Sequence, residues 1–511
     1  MLLISVLLFF SSILFSRADD VLVTIPNGKI KGRKEYSLRG ISFFAFQQIP
    51  FAKPPVGNLR FQDPQPVENW KGTLDASKNK QILCFQQSNM YKIVNMSAVE
   101  YEDCLYLNVY TPLNPSSNAN LPVLFYIYGG GFVNGASDFD FFGPHYLMES
   151  GVIVVTANYR VGAFGKFYSV VWYYYISGLF RAAIAQSGSI ISPWAYQRDY
   201  KQIAYDVASS LDRNFNRSSD SMQLLTFLRR ASAADLNKAA NDFKQNTGNE
   251  QIIQGFRFTP VVEPDHENAF ITEMMYPAIE KGHMNRVPLM MGICSEEAIA
   301  RAAVANFQSS VVSYENDLSR LVNKNMHLVD ANEKKTAGEA IRKIYTNGLL
   351  QNDLGKAVRY FSDMSFNRAV IRHAEMQSNY SDVYFYQFSY HGPLGGNRPY
   401  LEGAYRVGHA EDNHYLWAYS NHTFLNKYSA EDITASNRFR TLFTNFAKYL
   451  NPTPKSEPLF ENIIWPKVKP HDFQYLDINE TLTIMRNPKG DVYPKWVDLY
   501  EKMAVKPFDT Y

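Results

Sequence analysis

Three short stretches of this chain carry residue types that could do chemistry together. Tyr128-Gly129-Gly130-Gly131-Phe132 follows the apolar run 123–127 and breaks it with three glycines. A β-branched and aromatic run that ends in glycines reads as a buried strand opening into a loop whose backbone approaches something closely. Successive N–H groups in such a loop can converge on a small anion, which acyl transfer requires when charge develops on a carbonyl oxygen. Gly292-Ile293-Cys294-Ser295-Glu296-Glu297 puts carboxylates just past a strand end, where sites on parallel sheets form. Gly408-His409-Ala410-Glu411-Asp412 puts an imidazole in a small-residue loop. Taken singly, a glycine triplet is a turn, and loop acids and histidines are solvated surface. In this order they supply an oxyanion loop, an acid and a base.

The elements around these stretches must hold them at one edge of a sheet. Short strand-like runs at 21–25 and 28–32 lead into the proline-dense stretch 49–61, which forbids regular structure and reads as ordered loop. A strand with a charged head covers 102–112, and uninterrupted apolar runs of strand length follow at 123–127 and 152–157. Such runs belong to parallel sheets buried on both faces. Beyond about residue 199 helical patterns dominate, with strands at 287–293 and 383–388. The clearest helix is 435–450, where Phe439, Leu442, Phe443, Phe446, Ala447 and Leu450 fall at three- and four-residue spacing and Asn451-Pro452 stops it. Strands alternating with helices predict a mostly parallel α/β sheet covered by helices. The longest turn-rich segment, 111–120, is only a surface loop, so a single domain over 19–511 is expected.

Composition excludes some partners. A net charge of +2 from 51 basic and 49 acidic residues, with no cluster of Lys and Arg, implies neither nucleic acid nor an anionic membrane. Residues 2–15 form an apolar run too short to span a bilayer, and Ser16-Arg17-Ala18 offers small residues for cleavage, so 1–18 reads as a signal peptide of a secreted protein with no membrane span. Sequons at Asn95, Asn216, Asn379, Asn421 and Asn479 suit a glycosylated extracellular chain. In an oxidising compartment Cys84 and Cys104 could close one loop, leaving Cys294 as a small buried residue. No metal or organic cofactor is implied, since no cluster of His, Cys or carboxylates shows ligand spacing.

Oxyanion loop, then acid, then base is the chain order of an α/β-hydrolase. More specifically, the segment 102–112, the Pro-Pro-Val-Gly and Leu-Arg-Phe cluster at 54–61, Tyr-Gly-Gly-Gly-Phe, Asn158-Tyr159-Arg160-Val161-Gly162 and Gln186-Ser187-Gly188-Ser189 together resemble the type-B carboxylesterase family, which includes the cholinesterases. The resemblance implies an α/β-hydrolase fold and hydrolysis of a small-molecule carboxylic ester. It also implies that Gly130 and Gly131 are oxyanion donors, Glu297 the triad acid and His409 the general base. Cys84 and Cys104 would form the family's first disulfide, and Glu102 would pair with Arg60. No Trp lies between Cys84 and Cys104, where cholinesterases carry the one that binds choline, which argues against a choline ester.

One part of the family pattern is absent. The nucleophile should be a serine on a strand-to-helix elbow, with glycines two before and two after it, yet no Gly-x-Ser-x-Gly occurs between Gly165 and Gly178 or anywhere else. From Tyr159 to Arg181 there are 23 residues, whereas two parallel crossovers and the strand between them need at least two spans of roughly a dozen residues plus the strand. Ser187 has small neighbours at Ala185 and Ser189, but the family places it at the end of the next strand, away from the base; Ser169 lacks such neighbours. By resemblance the missing strand is central, leaving open edges at 152–157 and 182–186, which invite aggregation. The family's partner for Arg160 would also be gone, leaving a buried charge at a cost of several kcal/mol. The expectation is a chain that resembles a secreted carboxylesterase but is inactive, an incomplete product of exon skipping or of a faulty gene model. The alternative is a catalytically dead esterase-like binding or scavenging protein.

Overall fold

The computed structural model describes residues 20–86, 99–115, 117, 120–165, 178–245, 254–266, 269–396, 399–419 and 427–511. The expected leader at 1–18, the sequons at Asn95 and Asn421, Ser169 and the stretch 166–177 lie outside them. Fourteen strands are described: β1 (Asp20–Ile25), β2 (Gly28–Tyr36), β3 (Ser42–Pro50), β4 (Thr73–Asp75), β5 (Ile82–Cys84), β6 (Val99–Tyr101), β7 (Tyr106–Thr111), β8 (Val123–Tyr126), β9 (Ile153–Ala157), β10 (Ala183–Gln186), β11 (Leu289–Cys294), β12 (Val383–Phe388), β13 (Gln474–Ile478) and β14 (Leu482–Arg486).

Twelve of them assemble as two half-sheets, and β5 and β6 pair as a separate two-stranded ribbon. The first has the order β1-β2-β3-β7-β9-β8, with β4 paired to β2, and the second runs β10-β11-β12-β13-β14. β8 pairs parallel with β9, as do β10 through β13, β4 with β2 and β5 with β6, while β1, β2, β3 and β7 form an antiparallel meander and β14 turns back on β13. This is the expected α/β architecture, with helices packed on it. The position of one open edge differs from expectation. β9 is interior, pairing Leu107↔Ala157 on β7 and Val123↔Ile153 on β8, so among the described residues the edge is β8. Burial explains the order: Val152 and Val154 are fully buried, whereas Val123 and Phe125 are 57% and 50% exposed.

Helical and loop packing, rather than a described strand ladder, ties the halves together. The Tyr126 ring at the end of β8 lies 4.5 Å from Trp417, and Gln186 at the end of β10 donates to Asp412 at 2.9 Å. Both strands therefore finish against one loop. Below them runs the helix Ala430–Tyr449, begun by Ser429, whose Oγ accepts from the Asp432 N–H at 3.1 Å, and ended at Leu450 in the left-handed region. Its start lies five residues before the expected 435 because the first turn is polar and is set by that cap rather than by apolar periodicity. Phe439, Leu442 and Phe446 are buried from this helix, each contributing roughly 1.5–3 kcal/mol. Lys448 near its end donates to the Ser150 carbonyl on one side and accepts from Arg181 on the other.

A buried Ser–His pair also sits in the core. Ser189 Oγ lies in hydrogen-bond contact with His373 Nδ1 at 2.9 Å and accepts from the Ile191 N–H. Desolvation pushes His373 down to about 3, so it stays neutral near neutral pH and is no general base there. Since the unfolded chain takes up this proton near pH 6.5 and the folded chain near 3, His373 favours the folded state above pH 6.5 and loses that contribution as pH falls. Wild type and His373→Gln should therefore converge in urea stability by about 1.4 kcal/mol per pH unit below 6.5; parallel pH profiles would contradict the assignment. Gly292 in β11 is a second test of packing, because a Cβ there would meet the Tyr386 ring at 2.2 Å. Gly292→Ala should cost about 1–3 kcal/mol in the same urea titration.

Candidate active site

The glycine loop is built by what grips it from below. Tyr128 donates its OH to the Tyr159 carbonyl at 3.0 Å, Tyr159 returns its OH to the Tyr128 carbonyl at 2.8 Å, and the two rings stack at 4.4 Å. The Gly162 N–H then donates to the Phe132 carbonyl at 2.8 Å. Thus Asn158-Tyr159-Arg160-Val161-Gly162 acts as the brace of the loop after β8. Gly130 (φ 135°) and Gly131 (φ 60°) occupy conformations that other residues avoid, and a Cβ on Gly130 would come within 2.1 Å of the Asn134 carbonyl. Among the described residues neither N–H donates to a backbone acceptor.

The Glu297 carboxylate and the His409 imidazole meet. Glu297 follows β11 and is fixed by the Cys294 N–H, which donates to Oε1 at 2.7 Å, while its Oε2 lies 2.7 Å from His409 Nδ1. The His409 N–H also donates to the Glu297 carbonyl at 3.0 Å. The carboxylate is wholly buried while the imidazole is 46% exposed, so Nδ1 is held against the carboxylate. Glu296 faces elsewhere, accepting from Ser362 Oγ at 2.5 Å and from the Tyr405 N–H at 2.9 Å. The His409 loop is pinned by Glu411, which accepts from the Gly408 N–H, and by Asp412, which accepts from Gln186 and from the Tyr386 OH. Burial pushes the Asp412 carboxyl up.

Sequence periodicity does not reveal the wall that joins these two parts. A π-helical turn, Asp363–Asn367, places Phe366 on the His409 ring at 4.4 Å, and its Ser365 carbonyl accepts from Trp194 Nε1 at 2.6 Å. Trp194 contacts Phe366, Phe256 and Phe132, with centroids 5.9, 6.0 and 6.1 Å away. An aromatic surface therefore runs from the glycine loop to the imidazole. Such single-turn insertions concentrate at functional sites, but an extra residue inside a helix leaves no local signature. Ser187 follows β10 with φ 49° and is buried; among the described residues its Oγ has no hydrogen-bond partner, while its N–H donates to the Gly292 carbonyl at 2.9 Å.

The supporting pairs are in place. Cys84 and Cys104 form a disulfide, and Cys294 is free and buried, its thiol pushed up by desolvation. Arg60 meets Glu102 with two hydrogen bonds of 2.5 and 2.7 Å and caps the carbonyls of Leu228, Arg229 and Ala231. Asn216, Asn379 and Asn479 are exposed. Among the described residues no helix is long and apolar enough to cross a membrane.

Comparison with known proteins shows the family and the fold. The chain is 27% identical over 530 residues to juvenile hormone esterase of Tribolium castaneum, covering 90% of this chain and 88% of that one. It is 27% identical over 533 residues to a carboxylic ester hydrolase of Bombus ignitus, covering 91% of each. The crystal structure of Manduca sexta juvenile hormone esterase with OTFP covalently attached superposes with a TM-score of 0.80 at 23% identity, covering 94% of this chain and all of that one, which establishes the α/β-hydrolase fold. A model of the carboxylesterase family matches residues 19–171 and 169–496, two pieces that meet inside the stretch where the elbow is expected. On a match that takes in nearly the whole chain, the protein belongs to the carboxylesterase family.

Proposed function

We propose that this chain is an incomplete form of a secreted carboxylic ester hydrolase, with its base, acid and oxyanion loop assembled and its nucleophile absent. The single observation that carries this is the 2.7 Å contact between His409 Nδ1 and the buried Glu297, combined with the lack of any Gly-x-Ser-x-Gly in the sequence. The sheet order supports the same reading, since β8 and β10 are both outer strands among the described residues, where an elbow strand would stand.

In the complete form a serine attacks the acyl carbonyl and gives its proton to His409 Nε2. Glu297 steadies the imidazolium through Nδ1, and the Gly130 and Gly131 N–H groups hold the oxyanion. His409 then protonates the leaving alcohol, and water repeats the sequence to release the acid. The aromatic wall suits an apolar acyl or alcohol group. Without the serine, only binding and oxyanion donors remain, which leaves on the order of a thousandfold over water. A second reading, a binding protein without turnover, is favoured by the wall itself, because Phe132, Trp194, Phe256 and Phe366 keep their contacts without a nucleophile. The leader at 1–18 and glycans on the exposed sequons complete the proposal of a secreted glycoprotein.

Sequencing the native transcript across the codons for Tyr159 to Leu179 should yield a longer product encoding Gly-x-Ser-x-Gly. A short junction in every product would instead support the binding reading. For the chain as written, hydrolysis of p-nitrophenyl acetate should match that of His409→Ala. A His409-dependent rate more than about tenfold higher would contradict the assignment.

A further inference from the structure

Glu296 stands next to Glu297 but serves none of the chemistry above, and it is 1% exposed. Its Oε1 lies 2.5 Å from Ser362 Oγ, and its Oε2 accepts from the Tyr405 N–H at 2.9 Å. Either oxygen of the Ser362 contact can supply the proton between them, and the other bonds of Ser362 decide which one does. Ser362 Oγ accepts from the Ala298 N–H at 2.9 Å and faces the Val358 carbonyl, four residues back in the helix Leu354–Ser362, at 3.1 Å. A hydroxyl has one proton to give and two lone pairs, and a serine inside a helix gives its proton to the carbonyl four residues back. The second lone pair then faces Glu296 and needs a donor, which a protonated carboxyl supplies.

We propose that Glu296 is a neutral carboxylic acid in the folded chain and a positioning residue for His409, latching the loop that leads to the imidazole onto the helix that runs into the π-helical turn. The neighbouring buried acid is not the holder of this proton. Asp363 accepts from Asn367 Nδ2 at 2.7 Å and from the Tyr345 OH at 2.9 Å, and that OH accepts in turn from Trp496 Nε1 at 2.8 Å. Burial pushes both carboxyls up and Lys489 opposes it in both, its Nζ donating to the Ser295 carbonyl at 2.7 Å. The remaining charges around the latch are committed: Arg359 pairs with Asp491 and lies over the Tyr405 ring, and Glu297 takes the Cys294 N–H and His409. The loop is laced to the same strand end, since the Glu296 N–H donates to the Val407 carbonyl at 2.8 Å and the Val407 N–H to Ser295 Oγ at 3.2 Å. Loss of the proton leaves a buried charge and an unfilled Ser362 lone pair, so the latch loosens. Two adjacent glutamates thereby take different states from different surroundings, one neutral and one ionised. The positioning role rests on the proposed reading of His409 as the base, whereas the protonation does not.

Infrared difference spectra of the full chain against Glu296→Gln, at about pH 6.5 and so roughly two units above an ordinary glutamate, should show the carbonyl stretch of one neutral carboxylic acid in the wild type. A carboxylate band in its place would overturn the proton. The amide offers the same donor to Ser362 and acceptor to Tyr405, so the variant should fold. Because the folded carboxyl titrates above the unfolded one, the wild type should lose stability against the variant as pH rises from about 4.3 to 6.5, by about tenfold in the unfolding constant per pH unit in urea titrations. Parallel profiles would contradict the assignment. If Glu296→Gln does not fold, Ser362→Ala, which removes the acceptor, should shift the same infrared band, and an unmoved band would overturn the contact. The NMR resonance of the His409 Nδ1–H proton reads the latch. It should persist in Glu296→Gln, weaken in Ser362→Ala and vanish in Glu296→Leu, which keeps neither bond. An unchanged resonance in the last two variants would overturn the positioning role and leave the Glu297–His409 contact of the proposed function standing.

Discussion

Backbone hydrogen bonding at the centre of the sheet is the constraint on which the rest of this structure depends. A parallel sheet satisfies its buried N–H and C=O groups only through neighbours on both sides, and here the described ladder stops at β8 and resumes at β10. The halves keep their alignment through side chains. The helix Ala430–Tyr449 packs Phe439 and Phe443 against Tyr386 of the second half and reaches the first through Lys448. The loop carrying His409 touches the ends of both bordering strands. That loop is thus a structural clasp as well as the carrier of the imidazole, and the Glu297–His409 contact has a stabilising reason to persist.

The site's geometry follows from local packing at the ends of the two half-sheets. On one side the reciprocal Tyr128–Tyr159 hydrogen bonds and the Gly162 donor hold the glycine loop. On the other, the Cys294 N–H and the Asp412 contacts hold Glu297 and the His409 loop. The π-helical turn at Asp363–Asn367 spans between them through Phe366 and Trp194. Arg160 Nη1, Ser187 Oγ and Asp412 Oδ1 are buried without a hydrogen-bond partner among the described residues.

Much of this was legible in the sequence because the signals are local. Three glycines after a β-branched run, a carboxylate after β11 and a His in a small-residue loop each mark their position without reference to distant residues. The core of the long helix was visible as three- and four-residue spacing, while its start depended on the cap at Ser429. What stayed hidden was non-local. Which of Glu296 and Glu297 faces the imidazole depends on Ser362 and Tyr405, residues far along the chain. The interior place of β9 depends on pairing with β7, and nothing in the apolar run 152–157 distinguishes an inner strand from one beside a gap. The aromatic wall draws residues from four separate segments, so no spacing rule could collect them.

Intact-mass spectrometry after exposure to a fluorophosphonate at neutral pH tests the central claim most directly, because the reagent reports an activated serine regardless of substrate preference. An assembled base, acid and oxyanion loop without a nucleophile should leave the folded chain unmodified, while an otherwise similar form carrying the elbow takes up one equivalent. A stoichiometric, His409-dependent adduct on this chain, at Ser187 or any other serine, would contradict the account.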